Sequence, residues 1–202
     1  MARKAESAEE RRKRTGFRPA ILVRNMLLWL VPVVILWVLL TPFYNRFLMT
    51  SGENLLHLIE SPNVTQLLPA SSDPNYASVL RLDFPEDRSR VYSFRVTDIH
   101  YHLLLLALLF LATPGVPFKR RLGALGWAAL ITIFFNILLV VFWVKFGYAT
   151  QLGSFSAQNY GPFWRNFWGM GKHLMDLPFK LALPFVLWIA FNYRTLLAAR
   201  RP

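Results

Sequence analysis

The sequence predicts a mainly α-helical integral membrane protein with four transmembrane helices and a small extracytoplasmic α+β lobe. Of its 202 residues, 54% are apolar and 15% are aromatic, more than a soluble domain of this length usually contains. The apolar residues gather in four blocks of about 16 to 25 residues, and about 20 helical residues cross the hydrocarbon core of a bilayer. Basic residues flank these blocks on alternate sides, as four crossings require.

The placement of charge predicts the orientation of the chain. The formal net charge is +12, but because the cations lie beside apolar blocks they favour a membrane orientation over binding to nucleic acid. Residues 1–24 carry eight basic side chains, and the turn 115–121 carries three. Residues 44–98 carry seven acidic side chains against five arginines. Both termini and the turn are therefore predicted to be cytoplasmic, with 44–98 and 147–177 outside.

The amino terminus is predicted to stay attached to the mature chain. About 20 mostly polar residues precede the first apolar block and no small-residue cleavage pattern follows it, so the first span should remain as an anchor. Residues 1–20 are predicted to form a flexible basic cytoplasmic tail, with docking to anionic lipid as the alternative. The chain contains no cysteine, which excludes disulfides, thiolate metal ligands and a cysteine nucleophile.

The first predicted span covers residues 21–43. Pro32 lies inside it, and a proline removes one backbone donor, which a membrane helix tolerates where neighbouring groups satisfy the freed carbonyl. We therefore predict a kink at Pro32 and a second kink at Pro184, inside the last span. Gating of a substrate path is the alternative interpretation of the first kink.

The outward segment after this span is predicted to hold a helix and a β-hairpin. Apolar residues recur at near-helical intervals from residue 46 to residue 60, which predicts a helix lying on the membrane or under the lobe. Partial period-two alternation over 79–84 and 90–96 predicts the hairpin, and a third strand is expected over 64–68. A lone hairpin is marginally stable in water, so the lobe must pack on the membrane, on this helix or on another protein.

The second and third predicted spans cover residues 99–114 and 122–146. The second ends in Pro-Gly-Val-Pro just before the basic turn. Helix-breaking residues and positive charges together indicate a turn on the inner side of the membrane. The third carries Asn136 near its middle. Because an amide in hydrocarbon costs free energy unless it has a partner, Asn136 is predicted to hydrogen-bond to another helix.

The outward loop 147–177 is rich in aromatic residues. Aromatic rings with a polar edge settle at the level of lipid headgroups, and helical spacing puts five of them on one face, which predicts an interfacial helix over about Tyr160 to Asp176. The predicted anchors are Tyr160, Phe163, Trp164, Phe167 and Trp168. An aromatic platform for an extended ligand is the alternative. The last span is predicted at 178–197, with a short cytoplasmic tail at 198–202.

His100 and His102 form the densest group of candidate functional side chains. In an extended segment they would point the same way, a spacing found in some metal sites, whereas on a helix they would diverge by about 200° and could not share a metal. Because the segment leads into the second span, hydrogen bonding at the interface is the favoured interpretation. The sequence carries no catalytic or cofactor-binding motif, so we predict no catalytic residue and no cofactor.

Two pairs of oppositely charged or titratable side chains are four residues apart on predicted helices. These pairs are Glu53 with His57 and Lys172 with Asp176. Such spacing brings side chains together on one helix face, and the pairs are usually ordinary surface contacts. Both are therefore predicted to lie at the protein surface.

Three short stretches around the second span follow one another in a distinctive order: Ile-His-Tyr-His-Leu from 99, Leu-Ala-Thr-Pro-Gly from 111 and Lys-Arg-Arg-Leu from 119. They resemble the corresponding turn of the small membrane proteins associated with exosortase H, a bacterial protein-sorting system. Elsewhere the likeness is one of layout, with one span, an outer lobe and three more spans. The resemblance implies an accessory protein in a bacterial cytoplasmic membrane, and exosortases themselves use a cysteine that this chain lacks.

These observations predict a non-enzymatic accessory or scaffolding subunit of a membrane complex. Its expected partners are the lipid bilayer and a larger membrane protein, and nucleic acid is not expected. A small transporter or channel subunit is one alternative, although charged groups at mid-membrane and internal repeats are not evident. An enzyme that uses the outer histidines on a lipid-linked substrate is the other.

Overall fold

The computed structural model describes residues 19–70, 73–85 and 89–198, and the predicted terminal tails lie outside these ranges apart from residues 19, 20 and 198. The helices are α1 (Pro19–Ile59), α2 (Thr97–His100), α3 (His102–Ala112), α4 (Phe118–Thr150), α5 (Ser154–Asn159), α6 (Pro162–Leu174) and α7 (Lys180–Ala198), with a π-helical segment, Met175–Phe179, between α6 and α7. The strands are β1 (Thr65–Pro69), β2 (Tyr76–Arg81) and β3 (Arg90–Arg95).

Three helices are long and apolar enough to cross a membrane. They are α1, α4 and the helical run Pro162–Tyr193, with 41, 33 and 32 residues. In the most apolar window of each, only 11%, 33% and 17% of the residues are buried within the protein. Apolar side chains exposed to this extent indicate that lipid is their solvent, because their exposure to water would be unfavourable.

The second apolar block forms a shorter helical segment, Thr97–Ala112. At about 1.5 Å per residue it is some 24 Å long, less than the roughly 30 Å of a typical hydrocarbon core. It is nevertheless central to the helix packing, because α3 contacts α1, α4 and α7. Its buried residues Leu106, Leu109 and Phe110 pack with Ala128 of α4 and Trp188 of α7.

The predicted hairpin is present as part of a three-stranded antiparallel sheet in the order β1-β2-β3. Val79 of β2 lies between Leu67 of β1 and Tyr92 of β3. The expected third strand forms over Thr65–Pro69, one residue later than predicted. Leu67, Ala77, Val79 and Phe94 are all buried, so the sheet presents an apolar face to the helices.

The sheet has no core of its own and packs on the ends of two membrane helices. Leu48 and Leu56 of α1, together with Val140, Val144 and Tyr148 of α4, form one buried cluster with the apolar face of the sheet. We call the sheet, residues 45–59 of α1 and residues 139–150 of α4 the lobe. Packing on these helix ends supplies the support that an isolated hairpin needs.

Two pairs of elements that were predicted to be separate are continuous in the structure. The span 21–43 and the following helix form one uninterrupted helix, α1, which contains both Pro32 and Pro42. The predicted interfacial helix and the last span are likewise joined, because the π segment leads from α6 into α7. A wider π turn accommodates Pro178, which lacks the backbone donor that α-helical pairing requires.

The lobe depends on a close approach of α1 and α4 at Gly52. A Cβ atom at this position would lie 2.5 Å from Cγ1 and 3.1 Å from Cβ of Val140, a buried and conformationally stiff side chain. We expect Gly52→Ala to lower the free energy of unfolding by about 1 to 3 kcal/mol, because the helices must separate. Thermal unfolding in mild detergent measures the change.

Gly126→Ala is the matched control for this substitution. Gly126 is also helical, but a Cβ atom there meets nothing within 4 Å. Alanine should therefore be neutral or stabilising by up to about 1 kcal/mol at Gly126, because it restricts the unfolded backbone. Equal effects at the two glycines would contradict the proposed close packing.

Candidate functional site

Polar side chains meet where the lobe joins the membrane helices, with Asn45 at their centre. The Oδ1 atom of Asn45 lies 2.8 Å from Nε2 of His100. Its Nδ2 atom lies 3.4 Å from both Asn75 Oδ1 and Thr97 Oγ1. Asn45 is only 1% exposed, so its amide ties α1, the loop before β2 and α2 together within the protein.

This arrangement defines the tautomer of His100. The Nδ2 atom of Asn45 faces oxygen acceptors, so its Oδ1 atom is the group that meets the histidine. Nε2 of His100 must then carry the proton and donate it, which leaves Nδ1 as an acceptor. Nδ1 is buried and has no hydrogen-bond partner among the described residues.

Asn136 extends the same junction from α4. Its Nδ2 atom donates to the hydroxyl of Tyr44 at 3.0 Å, which is the kind of contact between helices that its position in an apolar block predicts. The Tyr44 ring meets the His100 ring edge-on with centroids 4.8 Å apart. Asn45, His100, Tyr44 and Asn136, which we call the junction cluster, therefore link α1, α2 and α4.

The ring of His102 packs in an environment separate from the junction cluster. It packs edge-on against Phe135, and both ring nitrogens are buried without a hydrogen-bond partner in the described part of the chain. The backbone is helical from Thr97 to His100 and again from His102, so the extended geometry required for a shared metal is not formed. Among described residues, no three His, Cys, Asp or Glu side chains group as a metal site.

Asp176 bridges two lysines at the π segment. Its carboxylate lies 2.5 Å from Lys180 Nζ and 3.2 Å from Lys172 Nζ. The side chains of Lys180, Lys172 and Asp176 are 4%, 10% and 14% exposed. The prediction that Lys172 and Asp176 form an ordinary surface pair is therefore wrong, because α6 packs against α4 and covers them.

Each lysine of this bridge also has a second partner. Lys180 donates to the backbone carbonyl of Asp98 at 2.8 Å, which connects α7 to α2. The Nζ atom of Lys172 lies 3.8 Å from the ring centre of Trp143, a favourable cation–π distance. The bridge thereby fixes the carboxy-terminal helical run against α4 and the start of α2.

A second buried ion pair connects α1 with α4 in the lobe. Lys145 Nζ lies 2.7 Å from Glu60 Oε1, and the two side chains are 12% and 6% exposed. The other predicted surface pair differs in another way, because its members bond to the strand β1: Glu53 accepts a hydrogen bond from Leu67 N, and His57 Nε2 bonds to the Thr65 carbonyl. Both side chains therefore hold β1 on α1 instead of pairing with each other.

Arg81 is enclosed by aromatic rings beside this ion pair. Its guanidinium carbon lies 4.4 Å from the ring centre of Phe155 and 4.8 Å from that of Tyr148. Two hydrogen bonds of 2.9 and 2.6 Å join it to Asp83, and they hold the pKa of that carboxyl below its usual value. Burial raises the pKa of Tyr92 of β3, which donates to the Trp143 carbonyl, well above its ordinary value.

A polar pocket of about 400 Å³ opens beside these ion pairs. It is lined by Glu60, Arg81, Asp83, Lys145, Asn159, Tyr160 and Trp164, among others. Its two cations already have carboxylate partners within the protein. The pocket wall is therefore electrostatically balanced and does not favour an anion.

The predicted aromatic anchors divide between two environments. Phe163, Trp164 and Phe167 are 71%, 51% and 40% exposed and pack against one another, with Phe163 stacked on Phe167 and Trp164 edge-on to both. Trp168 contacts the rings of Trp164 and Phe167 and also packs edge-on against Phe142 of α4. Tyr160 precedes α6 and lines the polar pocket, so it does not share the helical face with the others.

The two prolines predicted to kink helices both lie inside helices of the structure. Pro32 is on the exposed surface of α1, and Pro184 is buried in α7. The kinks themselves stay predictions.

No family model, no curated protein and no solved structure matches this chain. The junction cluster, the two buried ion pairs and the polar pocket are therefore the basis for a functional argument. Asn45, Lys145 and Lys180 were missed as site residues by sequence reasoning. Lys180 offered a signal, because a lysine inside an apolar block requires a partner.

Proposed function

We propose that this protein is a non-enzymatic accessory or scaffolding subunit that holds a rigid lobe on the outer surface of a membrane. One observation carries the proposal: the buried lysines Lys145 and Lys180 and their carboxylate partners join elements of the fold to one another. Lys145 joins α4 to Glu60 at the end of α1, and Lys180 joins α7 to the backbone at Asp98. Groups used in this way fix geometry and are not free to transfer protons to a substrate.

The proposed orientation places the lobe outside and four helices across the membrane. Lys119 and Arg120 are exposed at the start of α4, at the helix end opposite the lobe. Arg121 closes the turn there by donating to the carbonyls of Val116 and Leu111 at 2.7 and 2.6 Å. A basic turn favours the cytoplasmic side, and the short α2–α3 crossing is stabilised by burial among its neighbours.

The proposed partner is a larger membrane protein that contacts the exposed apolar surface near the lobe. Leu58 at the end of α1 is 82% exposed, and Phe163 of α6 is 71% exposed. Large apolar side chains exposed near the membrane surface favour contact with lipid or protein. The resemblance to exosortase H-associated proteins would place this complex in envelope protein sorting in a bacterial cytoplasmic membrane.

Site-specific photo-crosslinking in native membranes tests the accessory function. A photoreactive residue at Leu58 should capture one larger membrane protein that also co-purifies with the unmodified chain in mild detergent. The same group at Gly123, exposed at the opposite end of α4, should not capture it. A self-assembled ring with a water path would overturn the proposal in favour of a channel, and loss of a measured enzymatic turnover in His102→Leu would favour an enzyme.

A further inference from the structure

The amphipathic helix α6 carries an exposed apolar stripe. Its members are all exposed and lie three or four residues apart, which places them on one face of the helix. We call these residues the α6 stripe: Phe163, Phe167, Met170 and Leu174. The charged side chains of α6 bond elsewhere, because Arg165 donates to the Tyr160 carbonyl and Lys172 is buried against Trp143. The stripe is therefore wholly apolar.

The position at which α6 crosses α4 indicates its depth in the membrane. Ring contacts join α6 to one turn of α4, with Trp168 against Phe142 and His173 against Phe146. At a rise of 1.5 Å per residue, Phe142 lies about 32 Å along α4 from Arg121, at the basic end of this helix. A hydrocarbon core is about 30 Å thick. The crossing therefore lies at the lobe-side edge of the core.

The length of α7 places α6 at the same level. α7 contains 19 residues, so it is about 28 Å long and nearly spans the hydrocarbon core by itself. It begins at Lys180, whose ammonium group bonds to the carbonyl of Asp98 in α2. Because α6 and the π segment precede α7 in the chain, they lie at the lobe-side boundary of the core.

The α6 stripe is continuous with the exposed apolar surface of α7. Leu177 in the π segment and Leu181 and Phe185 in α7 continue the exposed apolar positions at intervals of three or four residues. Trp164 lies beside the stripe and is half exposed, and tryptophan rings settle at the level of lipid headgroups. The surface that contacts lipid on α7 therefore extends onto α6.

We propose that α6 is inserted into the lobe-side leaflet of the bilayer, at the boundary between headgroups and acyl chains. The partner of the α6 stripe is lipid, and the protein partner is left with the apolar surface around Leu58. An interfacial helix buries its apolar face about 5 to 10 Å into this boundary, so α6 fixes the height of the lobe above the membrane. This placement depends on α4 and α7 crossing the bilayer and not on an accessory function.

Spin labelling of the full chain in vesicles of phosphatidylcholine and phosphatidylglycerol tests the proposal. The natural chain contains no cysteine, so one nitroxide on a single introduced cysteine reports each position of the α6 stripe. The measurement compares nitroxide collisions with oxygen, which concentrates in lipid, and with a water-soluble nickel chelate. The oxygen-to-nickel ratio should be at least about threefold higher in the stripe than at Gln158, exposed on α5, and should approach the ratio at Ala190, exposed on α7.

Two results would overturn the proposal. A ratio in the α6 stripe equal to that at Gln158 would place the stripe in water. Labels that are immobilised and shielded from both reagents would mean that protein, such as a second copy of the chain, covers the stripe.

A charge placed in the stripe gives a second test. Met170→Glu introduces a carboxylate that lipid chains exclude, so a label at Leu174 should become more accessible to the nickel chelate. Asn166→Asp is the matched control, because Asn166 is exposed on α6 outside the stripe, and it should leave that accessibility unchanged. Equal accessibility in the two variants would contradict insertion of the stripe into lipid.

Discussion

Replacing Asp176 with asparagine is expected to lower the free energy of unfolding by about 3 to 5 kcal/mol, because two buried ammonium groups lose their shared carboxylate. Lys180 and Lys172 have side chains only 4% and 10% exposed, so water cannot replace the lost partner. Their contacts with the Asp98 carbonyl and the Trp143 ring compensate for part of this loss. Thermal and denaturant unfolding in mild detergent, followed by tryptophan fluorescence, measures the change.

Asp98→Asn is the matched control for this substitution. Its carboxylate pairs with Arg95 at 3.8 Å, but the two side chains are 56% and 50% exposed. An exposed pair at this distance contributes less than about 1 kcal/mol. If Asp176→Asn proved no more harmful than Asp98→Asn, the buried bridge would have no structural role.

Replacing Lys145 with methionine is expected to cost a similar amount, about 3 to 5 kcal/mol. Glu60 would then keep a carboxylate that is 6% exposed and lacks a cation. Only one carboxylate oxygen is paired in the native protein, because Oε2 of Glu60 is buried without a partner among the described residues. The loss should appear as weaker attachment of the lobe, measured as faster hydrogen exchange in β1 and β2.

The double substitution Glu60→Met with Lys145→Met distinguishes the contribution of the ion pair to stability from that of the packing around it. Replacing both partners of a buried ion pair by apolar residues is often nearly neutral, so the double variant should recover most of the loss. Arg95→Met, at an exposed pair, should change the stability by less than about 1 kcal/mol. A double variant as unstable as the single one would mean that Lys145 acts by another contact, such as the one with the Tyr148 ring.

The apolar blocks and the period-two segments predicted much of the fold because both patterns report local periodicity. The three long helices and the sheet follow from them. The helix boundaries could not be predicted in the same way. The predicted boundaries after residue 43 and before residue 178 are absent from the structure, because α1 continues into the lobe and a π segment joins α6 to α7.

The candidate site was less predictable, because its partners are distant in sequence. Asn136 was recognised from its apolar surroundings, but nothing local identified Tyr44 as its partner, 92 residues away. Asn45 stands where the apolar block gives way to polar sequence, so it resembles an ordinary surface residue. Only the approach of α2 to α1 makes it the centre of the junction cluster.

The placement of the lobe core sets an order for biosynthesis. The strands lie between residues 65 and 95, but part of their apolar support comes from residues 139–148 of α4. A ribosome delivers those residues only after the whole sheet has already been synthesised. The strands therefore remain incompletely packed until the third apolar segment, α4, has inserted. Completion of their packing depends on membrane integration of that helix and not on their own synthesis.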